Sequence, residues 1–206
     1  MKVKICGLRT EEAVLAAEDA GADFLGFIFY EKSHRHVLPE EVRGLTKHVQ
    51  RAKTVGVFVD APLDEVNAAA DFCSLDFVQL HGHESAAYAR VVCRPVIKAF
   101  RWGDDFSAEK ANEYPAEIIL LDSFSKDAVG GTGQRFRWRE AAEETARLEK
   151  PLLVAGGIAS GNVREAEEVF RPYGVDVSGS LEIEKRKSVE RIREFMAVVQ
   201  KRRIPE

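Results

Sequence analysis

Short apolar runs and longer amphipathic stretches alternate along the whole chain. The apolar runs are rich in Val, Ile, Leu and Phe and are too short for helices, so each predicts a strand. These strands are predicted at residues 3–6, 24–29, 54–59, 76–80, 95–100, 117–122, 151–155 and 174–178. The stretches between them have helical periodicity and predict helices at residues 11–20, 39–48, 63–72, 84–92, 107–113, 138–148, 161–170 and 189–201.

The alternation predicts a fold as well as its elements. Strictly alternating strands and helices produce a parallel sheet, and eight such units favour a closed (β/α)8 barrel, or TIM barrel. A doubly wound open sheet is the alternative, since periodicity does not prove closure. Closure would make Lys4 on the first strand and Asp176 on the last strand neighbours, and we predict that they pair. Because no linker or low-complexity segment divides the chain, we expect one domain over residues 1–206.

Composition excludes several classes of partner. The chain has 206 residues, of which 45% are hydrophobic and 31% are charged, and its formal net charge is -4. That balance provides no basic surface for nucleic acid or for an anionic membrane. No apolar stretch approaches the roughly 20 residues that cross a bilayer and no signal-peptide core begins the chain, so we expect a cytoplasmic protein. The three cysteines have no Cys-x-x-Cys spacing, which argues against a disulfide framework and a zinc site.

Turns of small residues follow the last two predicted strands. Gly156 and Gly157 follow the seventh strand, and Ser178, Gly179 and Ser180 follow the eighth. In barrels the loops after these two strands commonly bind phosphate, because glycine lets backbone N–H groups approach the oxygens. We therefore predict a phosphate site here, and tight turns without a ligand are the alternative.

Two strand-to-helix connections, residues 30–38 and 123–136, are longer than the others. Both would lie on the face of a barrel where ligands bind. The second contains residues 130–133, whose glycines, Gly131 among them, are typical of a loop that closes over a ligand. Arg35 in the first is a candidate for binding a carboxylate through its guanidinium group, and a solvated basic loop is an equal alternative.

Groups that could transfer protons end three of the predicted strands. Cys6 ends the first strand, where it could be a nucleophile, a general base or only a small buried hydrophobe. Asp122 ends the sixth, and a carboxylate at an apolar barrel mouth suits a general acid, with a cap or turn as the alternative. Gln79 and His81 end the fourth, where the histidine could orient its neighbours or catalyse. An acid and a base on opposite sides of a phosphate-anchored cavity are what an aldose-to-ketose isomerisation requires.

Together these segments resemble a known family, the phosphoribosylanthranilate isomerases of tryptophan biosynthesis. The motifs occur in the same order as in the family and span nearly the whole chain. This shared order is far more specific than any one motif. It rests on KICG at 4–7, SHR at 33–35, GVFV at 56–59, QLHG at 79–82, LLD at 120–122, GGTG at 130–133, AGG at 155–157 and DVS at 176–178.

The resemblance implies an Amadori rearrangement of N-(5-phosphoribosyl)anthranilate to 1-(2-carboxyphenylamino)-1-deoxyribulose 5-phosphate, with neither cofactor nor metal. It implies that Asp122 protonates the ribose ring oxygen and that Cys6 then takes the C2 proton. Arg35 would hold the anthranilate carboxylate, and the turns after the last two strands would hold the phosphate. A free thiol titrates near 8.5, so Cys6 must have its pKa lowered or act from a minority thiolate.

One segment departs from the family pattern. Many members have Ser-Ser-Gly-Val-Glu followed by a glycine-rich turn, whereas this chain has SGSLE at 178–182 followed by the charged residues 183–187. The sequence therefore leaves open which groups donate hydrogen bonds to the phosphate. It also leaves open the choice between a monomer and a homodimer. Two other functions compete: the analogous isomerisation of histidine biosynthesis, with a carboxylate base and a second phosphate site, and a phosphate-sugar binding protein that has lost catalysis.

Overall fold

The structure is a computed structural model that describes residues 1–103, 105–122 and 133–201, without the side chains of 133–137. Its barrel strands are β1 Lys2–Cys6, β2 Phe24–Ile28, β3 Lys53–Phe58, β4 Phe77–Leu80, β5 Val96–Arg101, β6 Ile118–Asp122, β7 Leu152–Ala155 and β8 Gly174–Val177. The helices are α1 Glu11–Asp19, α2 Pro39–Thr46, α3 Leu63–Phe72, α4 Ala86–Ala89, α5 Ala108–Glu113, α6 Gly133–Thr145, α7 Val163–Phe170 and α8 Val189–Gln200. Within the described residues, no helix is both long and apolar enough to cross a membrane.

The eight strands close into a barrel in sequence order, with every neighbouring pair parallel and β8 paired to β1. The register sets Lys4 beside Asp176, and the Lys4 Nζ lies 2.8 Å from the Asp176 Oδ1. Both the predicted TIM barrel and the predicted ion pair are confirmed, and the open-sheet alternative is wrong.

Two apolar layers hold the barrel together. The outer faces of the strands pack against the helices, with residues such as Ile5, Leu25 and Phe195 fully buried between them. Inside, a separate cluster consists of Phe24, Val55, Ile97, Ala99, Ile118, Leu120, Leu153 and Ala155. Because these side chains fill the interior, polar groups on the same strand faces gather at the carboxyl ends of the strands.

The helix predicted at 84–92 is much shorter than expected. α4 covers only Ala86–Ala89, and the Ser85 side chain accepts the Tyr88 N–H at its start. Glu84 is withdrawn from the helix because its carboxylate is buried, 2.7 Å from the Lys98 Nζ. The predicted helix at 138–148 is also shifted, since α6 begins at Gly133.

The charged segment after β8 is ordered. Residues Gly179–Leu181 form one 3-10 turn, and the strands β9 Glu182–Ile183 and β10 Arg186–Lys187 then form an antiparallel hairpin. Its two turn residues, Glu184 and Lys185, have φ of 48° and 63°, a left-handed conformation that usually favours glycine. The hairpin turns the chain back and carries Lys187 to the end of the barrel.

Candidate active site

The carboxyl ends of β1, β4, β6, β7 and β8 bring the predicted site residues to one face of the barrel. Cys6 ends β1 and Asp122 ends β6, so two strands separate them on the shorter way around the ring. The structure therefore brings the predicted base and acid to the same end of the barrel. Gly131, predicted to lie in a loop over this face, falls outside the described residues.

Cys6 is buried at the mouth, where its residue is only 5% exposed. Its carbonyl oxygen accepts a hydrogen bond of 2.8 Å from the Ser178 hydroxyl, and the chain then turns at Gly7 with φ of 80°. Burial raises the pKa of the thiol, and the charge of Lys4 offsets this only in part. At neutral pH the resting Cys6 is therefore mostly a thiol, with the thiolate as the minority form.

Gly26 on β2 makes room for this thiol. It stands directly opposite Cys6 in the parallel register. A Cβ added to Gly26 would lie 2.9 Å from the Cys6 Sγ and 3.2 Å from the Lys4 Nζ, both closer than ordinary contact. Glycine at this position is thus a requirement of the site, and sequence analysis missed it because the need arises from the neighbouring strand.

Asp122 faces His81 across the barrel mouth. Its Oδ2 lies 3.7 Å from the His81 Nε2, and both side chains are about one-quarter exposed. The Gln79 amide nitrogen lies 2.8 Å from the His81 Nδ1. A Gln79 amide that donates to Nδ1 leaves the histidine proton on Nε2, on the side of Asp122. The two residues predicted at the end of β4 therefore form a pair that faces the predicted acid.

Arg35 is already bound to a carboxylate of the protein. Its Nε and Nη2 lie 2.5 and 2.8 Å from the two carboxylate oxygens of Glu182. Lys187 adds a contact of 2.7 Å to the same carboxylate. Although burial opposes ionisation, the hydrogen bonds from Arg35 and Lys187 lower the pKa of Glu182 to about 2. Glu182 and Lys187 are site residues that sequence analysis missed, although it singled out the charged segment that contains Lys187.

The two turns of small residues lie next to each other at the ends of β7 and β8. The Ser180 hydroxyl donates to the Ile158 carbonyl at 2.6 Å, which ties the two turns together. Gly157 has φ of 73° and so needs glycine. Within the described residues, the backbone N–H groups of Gly157, Gly179 and Ser180 have no hydrogen-bond acceptor. These N–H groups are therefore available to an anion, whereas the serine hydroxyls are used within the protein.

No three His, Cys, Asp or Glu side chains are grouped to hold a metal ion in the described part of the chain. The titratable groups at the mouth instead form pairs, in which Lys4 binds Asp176, Arg35 binds Glu182, and His81 faces Asp122. Such pairs hold the charged groups in fixed positions at the mouth.

Known proteins share both this sequence and this fold. A family model described as N-(5'phosphoribosyl)anthranilate (PRA) isomerase matches residues 3–198. The N-(5'-phosphoribosyl)anthranilate isomerase of Geobacter sp. (strain M21) is 46% identical over 205 residues, covering 97% of this chain and 98% of that protein.

Solved structures agree. A phosphoribosyl anthranilate isomerase in complex with reduced 1-(o-carboxyphenylamino)-1-deoxyribulose 5-phosphate aligns with a TM-score of 0.84 at 32% identity, over 97% of this chain and 98% of the other. Monomers generated from the dimeric enzyme of Thermotoga maritima align with the same TM-score, identity and coverage. The resemblance drawn from the sequence motifs is confirmed, and the chain belongs to the N-(5'-phosphoribosyl)anthranilate isomerase family, the intramolecular oxidoreductases that isomerise this substrate in tryptophan biosynthesis.

Proposed function

We propose that Asp122 is the general acid and Cys6 the general base of this isomerisation. The observation that supports these roles is their placement, since both side chains end strands at the carboxyl face of one closed barrel. One buried thiol and one carboxylate beside a histidine provide two groups of different acidity for two successive proton transfers.

The proposed reaction starts with the opening of the ribose ring. Asp122 gives its proton to the ring oxygen, the bond between C1 and that oxygen breaks, and the nitrogen lone pair forms an iminium with C1. The Cys6 thiolate then takes the C2 proton, and the C–H electron pair forms a C1–C2 double bond while the iminium nitrogen becomes neutral. The resulting enolamine tautomerises to the ketone as C1 gains a proton, the C2 hydroxyl loses its proton, and the C1–C2 double bond gives way to the C2 carbonyl.

We infer that the phosphate is bound by backbone N–H groups in the turns Gly156-Gly157 and Ser178-Gly179-Ser180. Three of these N–H groups have no acceptor in the described part of the chain, and a related enzyme has been solved with a phosphorylated product analogue. The hydroxyls of Ser178 and Ser180 act indirectly, since each donates to a backbone carbonyl and holds a turn in place. Gly131 remains a predicted contact.

We infer that Arg35 can bind the anthranilate carboxylate without giving up Glu182. A guanidinium group has two edges that bind a carboxylate with two hydrogen bonds. Glu182 takes the edge formed by Nε and Nη2, which leaves the edge formed by Nη1 and Nη2 for the substrate. Glu182 thus fixes the plane of the guanidinium before the substrate arrives.

Gln79 and His81 are proposed to orient the acid. His81 with its proton on Nε2 can donate to Asp122 once that carboxylate has lost its proton to the ring oxygen. His81 is then a positioning residue, because its partner is Asp122.

The roles of the acid and the base are tested by following the loss of phosphoribosylanthranilate fluorescence. We expect Cys6→Ala and Asp122→Asn each to lower kcat by a factor on the order of 10² to 10⁴, with little change in Tm. Cys93→Ala, which removes an exposed thiol before β5, is the matched control. Wild-type kcat in Cys6→Ala would remove the thiol as base, and wild-type kcat in Asp122→Asn would remove the carboxylate as acid.

All site residues named here belong to one chain, so we propose a monomer or a homodimer in which each subunit has its own site. Light scattering coupled to size-exclusion chromatography decides between the two. We also infer that the enzyme works in the cytoplasm, because its substrate is a phosphorylated intermediate of amino-acid biosynthesis.

A further inference from the structure

Two lysines have buried side chains beside the Cys6 thiol. The side chain of Lys4 is 0% exposed and that of Lys187 is 3% exposed. Removing an ammonium group from water is costly, and apolar side chains of similar size often give a protein that is at least as stable. Both lysines nevertheless lie at the end of the barrel where the thiol lies. Their charges therefore suggest a role in the reaction as well as in stability.

Lys4 is held in a defined position on the same strand face as Cys6. Its Nζ is bound by the Asp176 Oδ1 at 2.8 Å across the closure of the barrel. Burial disfavours the charged amine, but the carboxylate of Asp176 opposes this, and the pKa of Lys4 is raised above its usual value. Lys4 is therefore an ammonium at neutral pH.

The Lys4 ammonium and the Cys6 sulfur border the same small space. Both atoms face Gly26, whose missing side chain leaves room for them, since an added Cβ would lie within 3.2 Å of each. Lys187 approaches from the other side, with its Nζ 3.3 Å from the hydroxyl of Ser178, which itself donates to the Cys6 carbonyl. The sulfur is thus flanked by two amines.

We propose that Lys4 is a positioning residue that keeps a positive charge beside the Cys6 sulfur and so stabilises the thiolate that abstracts the C2 proton. This inference rests on the proposed role of Cys6 as the base. Asp176 holds the ammonium in place. The charged groups around the sulfur are Lys4 from β1, Asp176 from β8 and Lys187 from β10, and β2 contributes only glycine.

The balance of these charges explains how a buried thiol can serve as a base. Burial raises the pKa of Cys6, as does the negative charge of Asp176, while Lys4 and Lys187 lower it. The thiolate remains the minority form, and the two lysines raise its population above what burial and Asp176 alone would leave. A tenfold smaller thiolate population would slow any reaction of the thiolate tenfold.

The test compares two variants that change this charge in different ways. Lys4→Met leaves Asp176 as an unpaired negative charge beside the thiol, whereas Lys4→Met/Asp176→Asn removes both charges. The matched control is Lys98→Met/Glu84→Gln, because Lys98 and Glu84 form another buried pair with a contact of 2.7 Å on the outer side of β5. The double variant leaves no unpaired buried charge, so it serves the test even where the single variant folds poorly.

The first measurement is the rate of Cys6 alkylation by iodoacetamide between pH 6 and pH 10, followed by peptide mass spectrometry. This readout separates Cys6 from Cys73 and Cys93 and reports the thiolate directly. We expect the rate at pH 7.5 to fall about tenfold in the single variant and less in the double variant, which also loses the opposing charge of Asp176, with no change in the control.

The second measurement is the pH dependence of kcat. We expect its lower limb to move about one pH unit upward in Lys4→Met and by less in the double variant, with KM unchanged. An alkylation profile equal to wild type in both Lys4 variants would overturn the inference. Failure of the proposed base is recognised separately, because Cys6→Ala would then keep its activity whatever the alkylation profile shows.

Discussion

Replacing Gly26 by alanine tests whether the placement of the thiol limits catalysis. The added Cβ would lie 2.9 Å from the Cys6 Sγ, 3.1 Å from the Cys6 Cα and 3.2 Å from the Lys4 Nζ. Reaching an ordinary contact of 3.4 Å requires the sulfur to move by about 0.5 Å or β1 to separate from β2. Side-chain movement relieves the contacts with the Sγ and the Nζ, whereas the contact with the Cys6 Cα requires a small separation of the paired strands β1 and β2.

Two effects follow from this displacement. Overpacking of this kind costs about 1–3 kcal/mol of stability. A misplacement approaching 1 Å costs about 10²-fold in rate, so a shift of roughly half that size predicts a fall in kcat on the order of tenfold. KM should change little, because the three atoms nearest the added Cβ belong to Cys6 and Lys4, neither of which is assigned to phosphate or carboxylate binding.

The assay measures kcat and KM by the loss of substrate fluorescence, and stability by thermal denaturation. Gly44→Ala in α2 is the control, since nothing lies within 4 Å of its added Cβ. Alanine in a helix interior should raise stability by about 0.5–1 kcal/mol and leave kcat unchanged. If Gly26→Ala behaved like Gly44→Ala in both measurements, the close packing of the thiol would have no role in the reaction.

Three further predictions concern the buried charges. Arg35→Met should raise KM about tenfold and weaken inhibition by anthranilate but not by inorganic phosphate; weaker inhibition by phosphate instead would assign Arg35 to that group. The pKa of Glu182 is about 2 in the folded state and 4.5 when unperturbed, so its stabilising contribution, on the order of 3 kcal/mol, is present above pH 4.5 and lost as the pH falls toward 2. Denaturation of Glu182→Gln should therefore show a shallower loss of stability over that pH range, and an unchanged slope would refute the assignment. Lys98→Met should cost about 3–5 kcal/mol in urea denaturation because it leaves Glu84 buried and unpaired, while Lys53→Met at an exposed pair should cost under about 1 kcal/mol; equal costs would contradict this.

Periodicity was sufficient to predict the barrel because each strand and helix is a local feature of the sequence. Alternation along single strands also assigned Cys6 and Asp122 to the mouth, and closure of the ring predicted the pair of Lys4 with Asp176. These features need only the strand order and the side-chain period of two residues.

Other features depend on contacts between distant segments. Arg35 and Glu182 are 147 residues apart, and no periodicity indicates that their side chains meet. The predicted helix at 84–92 was too long because Glu84 is withdrawn by Lys98 on another strand. The conformation of Glu184 and Lys185 has no local signal either, since neither is a residue type that favours positive φ.

The central claim is that one thiol and one carboxylate act on the same sugar, and a crystal structure with reduced 1-(o-carboxyphenylamino)-1-deoxyribulose 5-phosphate tests it most directly. We expect the phosphate on the N–H groups of Gly157, Gly179 and Ser180, and the carbon that corresponds to C2 within about 4 Å of the Cys6 Sγ, with Asp122 at the oxygen that closed the ring. A bound analogue whose sugar lies beyond the reach of either Cys6 or Asp122 would contradict the account.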